Sequence, residues 1–281
     1  MDFIATLPGW AINGLVIGLF GGIAGAIGGL IIKAGYSWGR YVPIVGIAVA
    51  VALSNNVGVV DWIRTQALTP SAVSAMIKAD NPGLYSMLET SFPNDYVQLT
   101  TRMTELLKGG GTTAQVREGT AEAMAQIRRK YAPMLGLASD ADHAKIVNES
   151  IAFHQALLDA NPSLCNQVAI SGPIALMGQG GYDQIKSMIE PQAITIFQAA
   201  ANATAAPTQR RPSTDDDWAE LGDAMLQRGV TDAQFAAMQT LDPASPDLCP
   251  GLILMLQTLN AVETEGVKAV RADYVRDSSA S

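Results

Sequence analysis

WAINGLVIGLFGGIAGAIGGLIIK, Trp10–Lys33, and YVPIVGIAVAVALSNNVGVVDWIR, Tyr41–Arg64, are the stretches whose reading decides the fold. Crossing a bilayer takes roughly 20 apolar residues, because the hydrocarbon core is ~30 Å thick and a helix rises ~1.5 Å per residue. The first run meets that length with no charge inside it. The second also meets it, with Ser54, Asn55 and Asn56 interrupting near its end. Trp10, Tyr36, Trp38, Tyr41 and Trp62 flank the runs, where amphipathic rings favour the headgroup level. A secretory signal would begin with a basic segment and carry a shorter apolar run, whereas this chain opens Met-Asp-Phe. The expectation is a transmembrane helical hairpin over residues 1–64, with spans at about 10–33 and 41–63.

Small residues predict how the hairpin packs. Gly14, Gly18 and Gly22 recur every fourth residue, as do Gly21, Gly25 and Gly29. In lipid, apolar side chains gain little by leaving acyl chains, so helices associate through close backbone approach across glycines. The two rows serve either packing of one span on the other or self-association of several chains. Asn13, Asn55 and Asn56 lie toward the same end of the hairpin. They either bond one another inside the membrane or are hydrated at its surface. This stretch resembles the glycine-zipper two-span hairpins of many bacterial envelope proteins. That resemblance implies packing and carries no activity.

Orientation follows from basic residues beside the spans. The loop 34–40 is flanked by Lys33 and Arg40 with no acid, whereas the other side holds Asp2, Asp61 and Arg64. This places the loop in the cytoplasm and both termini outside. The two cysteines give an independent vote. Cys165 lies in Asn161-Pro-Ser-Leu-Cys165 and Cys249 in Ser245-Pro-Asp-Leu-Cys249. Asn or Ser is a natural N-cap and Pro a natural first helical residue, so each thiol is expected in the first turn of a helix. Two cysteines so matched point to a bridge between helix starts, and structural bridges belong to oxidising compartments. The expected location is a bacterial inner membrane, with residues 65–281 forming a periplasmic domain.

That domain reads as all-α, soluble and acidic. The chain carries a net charge of −8, and residues 1–64 hold three cations against two carboxylates, which leaves the rest near −9. Such a balance argues against nucleic acid as a partner. Helix starts are predicted at Thr69-Pro70-Ser71, Asn81-Pro82, Pro93-Asn94, Thr112 with Gln115, Ser139, Pro162, Tyr182, Thr214, Thr231 and Ser245-Pro246. Asp215, Asp216 and Asp217 suit a helix N-terminus better than a calcium loop. Arg128-Arg129-Lys130 is expected to close a helix, and Gly109–Gly111 to break the chain. The apolar run from Leu252 to Leu259 predicts a core helix continuing to about Tyr274, with a frayed end beyond it. Residues 202–214, NATAAPTQRRPST, read as a linker with Arg210 and Arg211 exposed.

No nucleophile motif, zinc signature or dinucleotide fingerprint is present, so an enzyme is not expected and no cofactor is predicted. His143 and His154 are eleven residues apart, about 16 Å along a helix, too far for one ion. The arrangement of a hairpin and a cysteine-paired helical domain resembles uncharacterised envelope proteins of Gram-negative bacteria. It implies a membrane-anchored scaffold or protein-interaction subunit, with lipid and a protein partner or a second copy as its contacts. The alternative is an oligomeric pore assembled through the glycine zipper.

Overall fold

A computed structural model describes residues 68–111, 113–172 and 182–280, and every described element is an α-helix. The expected hairpin lies outside these residues, with Gly14, Gly18, Gly21, Gly22, Gly25, Gly29, Asn13, Asn55, Asn56, Lys33 and Arg40. Among the described residues no helix is long and apolar enough to cross a membrane. The described residues fall into two compact units, those of 68–76 and 100–116 in one, and those of 77–99 and 117–280 in the other.

Helices α1 (Pro70–Asp80), α2 (Pro82–Ser91) and α3 (Pro93–Lys108) each begin at a proline, as the sequence predicts. Proline lacks only an N–H that a first-turn residue leaves unpaired anyway, and its φ is already helical. The caps differ: Thr69 Oγ1 accepts the Ala72 N–H at 3.2 Å, whereas the Asn81 side chain makes no cap bond. Within the first unit, α3 ends at the glycine run. Gly110 takes φ +76°, and the N–H groups of Gly110 and Gly111 return to the carbonyls of Leu107 and Leu106. This is a Schellman end, which needs a left-handed residue that glycine supplies without a Cβ penalty.

The second unit is built around α5 (Asp140–Ala160). Its buried residues His143, Ile146, Val147, Ser150, Phe153, His154 and Leu157 fall at alternating steps of three and four, one continuous face. Against that face pack α6 (Pro162–Ser171), α7 (Tyr182–Ala205), α10 (Leu248–Ala261) and α11 (Glu265–Ala280). Each large apolar side chain fully buried there contributes about 1.5–3 kcal/mol. Helix α8 (Asp215–Gln227) rests on α10 and α11, while α9 (Asp232–Thr240) rests on α10. The caps of α5, α8 and α9 fall at the predicted starts Ser139, Thr214 and Thr231, and at α8 the structure adds a reciprocal bond from Asp217.

Several expectations need correction. Helix α4 (Thr113–Leu135) runs past Arg128-Arg129-Lys130, so these cations do not close it. Instead they are spent on three different partners. Arg128 Nε donates to the Ser279 carbonyl, Arg129 pairs with Glu122, and Lys130 pairs with Asp95. Thr112, the expected cap of α4, lies outside the described residues. Pro191, expected to kink or split α7, leaves it one continuous helix. The long core helix is two helices, because α10 stops at Ala261 and α11 starts at Glu265. Thr264 Oγ1 accepts the Val267 N–H and opens α11, and fully buried Arg271 reaches back to the Leu259 carbonyl at the end of α10. The expected frayed end is helical to Ala280, with Ser279 buried.

The expected linker is the largest departure. Residues 202–205 finish α7, and 206–214 form a strap tied down by hydrogen bonds from Thr208, Arg210, Arg211 and Ser213. The Thr208 N–H donates to the Leu137 carbonyl. Arg210, expected in solvent, is mostly buried and bonds Asp140 and the Ala138 carbonyl. Arg211 is exposed as expected, yet forks onto Asp217.

Candidate functional site

Of the residues singled out from sequence, Cys165 and Cys249 are the ones the structure brings together. They pair as a disulfide with Cα atoms 5.9 Å apart, at a sequence separation of 84. Cys165 sits in the first turn of α6, behind Pro162 and the Asn161 cap, whose side chain accepts the Leu164 N–H. Cys249 is the second residue of α10, but Pro246 precedes it in a turn and does not open the helix. The matched segments are therefore not equivalent: Asn161 caps α6 with its side chain, whereas α10 starts at Asp247 with no side-chain cap bond.

Phe153, Leu157, Val168 and Ile253 surround the bridge, and both cysteines are fully buried. The neighbouring Asn166 is the residue sequence reasoning missed. Its amide donates to the Pro243 and Ser245 carbonyls at 3.1 and 2.7 Å, while its oxygen accepts the Cys249 N–H at 3.1 Å. One side chain thus satisfies three backbone groups of the turn entering α10. Nothing in the spacing around Asn166 marks it, because its partners lie about 80 residues away.

The two histidines are core residues. His143 donates from Nε2 to the Leu135 carbonyl at 2.6 Å, and His154 from Nδ1 to the Ser150 carbonyl at 2.8 Å. Burial holds both rings below the usual histidine pKa, only partly opposed by these bonds. Ser150 Oγ donates to the Ile146 carbonyl and accepts from Gln192, so His154 is turned to the backbone of Ser150 and not to its hydroxyl. Among the described residues, no group of three His, Cys, Asp or Glu could hold a metal ion.

A second polar cluster forms where the strap meets α8. Asp217 accepts from Arg211 and from the N–H and hydroxyl of Thr214, and these bonds, the arginine's first, hold its carboxyl well below the usual range. Burial alone would raise the Asp273 carboxyl. Bonds from the Ser213 hydroxyl and N–H, with Arg276 nearby, outweigh it and pull the group down. The indole of Trp218 donates to Ser213 Oγ at 3.2 Å. The ring itself stays 45 % exposed, and Leu226, two turns along, is 53 % exposed. Between them a Cβ on Gly222 would meet nothing within 4 Å. Residues four apart share a helix face, so the three form one open apolar stripe.

Comparison with protein-family models, curated proteins and solved structures finds no match for this chain. Its chemistry is read from its own residues. The described part offers a sealed covalent junction, neutral buried histidines, and one exposed aromatic stripe beside carboxylates.

Proposed function

We propose that this chain is a membrane-anchored, extracytoplasmic scaffold or interaction subunit of an envelope complex. The hairpin over residues 10–33 and 41–63 anchors it in a bacterial inner membrane, with loop 34–40 in the cytoplasm. The acidic helical domain stands in the periplasm and binds a protein partner, and nucleic acid is not among its partners. The observation that carries the reading is the buried Cys165–Cys249 pair following two bilayer-length apolar runs. A sealed bridge suits an oxidising compartment, and two such runs suit a protein held at the membrane bounding it.

The test is a pull-down of the full chain in mild detergent, with and without reductant. A partner recovered from the oxidised chain and lost on reduction is the expected result. Two results overturn the reading. One is recovery of the chain in the aqueous fraction after cells are broken without detergent. The other is alkylation of both cysteines in denatured but unreduced protein.

The glycine rows favour a second reading, an oligomeric pore or membrane-perturbing assembly. Expression of residues 1–68 alone separates the two. It collapses the membrane potential if the hairpin forms pores and leaves it intact if the hairpin is an anchor.

A further inference from the structure

We propose that the outward face of α8, formed by Trp218, Gly222 and Leu226, docks a basic amphipathic helix of another protein. This rests on the interaction-subunit reading and gives it a surface and a class of partner. An exposed tryptophan usually costs entropy when a partner orders it. Here the indole is tied in advance: Trp218 bonds Ser213 Oγ, and Ser213 is held by its hydroxyl and its N–H to Asp273. Preorganisation of this kind lowers the cost of binding, and tryptophan is the side chain most enriched among residues that dominate interfaces. Gly222 leaves the surface between the two apolar groups open, since a Cβ there would meet nothing within 4 Å.

Charge selects the occupant. Asp215 lies one turn before Trp218 and Asp223 one turn before Leu226; both are exposed. Neither makes an ion pair or side-chain hydrogen bond among the described residues, and α8 contains no lysine or arginine. An apolar stripe rimmed by unpaired carboxylates complements a helix carrying apolar anchors among lysines or arginines. The same rim repels an anionic lipid surface. A symmetric contact with a second copy would set carboxylates against carboxylates.

The experiment uses the full chain in nanodiscs of neutral lipid and, as probe, a fluorescent 18-residue helix of leucine and lysine in amphipathic order. Anisotropy should report saturable binding that weakens as salt rises. It should fall roughly ten-fold or more in Trp218→Ala. Gly222→Arg should abolish it, and since glycine is a poor helix residue this second variant keeps the fold intact. The leucine–glutamate counterpart should not bind. The proposal is overturned if the glutamate helix binds equally well, or if neither variant changes the titration. It is also overturned if Trp218→Ala instead removes self-association in sedimentation, or removes capture of added phosphatidylserine vesicles. If the peptide fails to bind while the detergent pull-down still returns a partner, this face falls and the interaction reading stands.

Discussion

Two junctions of the larger unit hold their segments together by opposite physics. At Cys165–Cys249 the link is covalent, apolar and sealed, with Asn166 closing the backbone around it. Where the strap meets α8, the link is a half-open web of charged hydrogen bonds through Arg211, Asp217, Ser213 and Asp273. The first should ignore salt and resist acid until the domain opens. The second should weaken with both, because exposed charges are screened and its carboxylates must stay ionised. A protein can thus hold one corner permanently and keep another adjustable beside its exposed tryptophan.

Breaking the first junction should cost most. Replacing both cysteines by alanine frees a loop spanning 84 residues, which in the chain-entropy account removes about 4–5 kcal/mol. Urea unfolding in detergent, compared with wild type, measures it. Asn166→Ala leaves the Cys249 N–H and two carbonyls unpaired and should remove about 1–3 kcal/mol. If Asn166 acts by seating the turn before Cys249, the loss should differ between oxidised and reduced protein.

The histidines test the core beneath both junctions. Their folded pKa values lie below the unfolded value, so the unfolded chain binds more protons in between. Their contribution is complete above pH 6.5 and is lost as pH falls from there toward the folded values. Melting temperature should therefore drop over that window, and the slope should flatten in His143→Gln and His154→Gln.

At the second junction the effects are smaller. Thr214→Ala removes the cap of α8 and should cost about 1 kcal/mol. Asp217, whose carboxyl is held low, adds stability above the ordinary carboxylate pKa that is lost in stronger acid than the histidine window. Arg211→Gln should have the smallest effect, less still in high salt, because the guanidinium is exposed. Thermal melts at two ionic strengths separate the charged contribution from the cap.

Legibility divides along the same line. Helix starts at Pro70, Pro82, Pro93, Ser139, Pro162, Thr214 and Thr231 are readable because cap chemistry is local, a matter of three or four residues. The cysteine pair is readable because two thiols leave one pairing. The break between α10 and α11 is not: Thr264 looks like any threonine, and Arg271, which secures the break, sits seven residues away. The strap is misread for the same reason. Alanines, prolines and arginines resemble a linker until Asp140, Asp217 and Asp273 are placed beside them. Asn166 is invisible because an asparagine after a cysteine has no pattern of its own. The hairpin, read from apolar length, lies outside the described residues.

Arg271 carries a consequence for the order in which the chain is made. The Leu259 carbonyl in the last turn of α10 is closed by a side chain twelve residues later. A nascent chain emerging as far as Thr264 therefore presents α10 with a loose last turn. Cys249, at the opposite end of that helix, is by then already free to meet Cys165. Biosynthesis would thus lock the front of α10 before its rear is finished, and chains halted between these points should be oxidised yet sensitive to protease after Leu259.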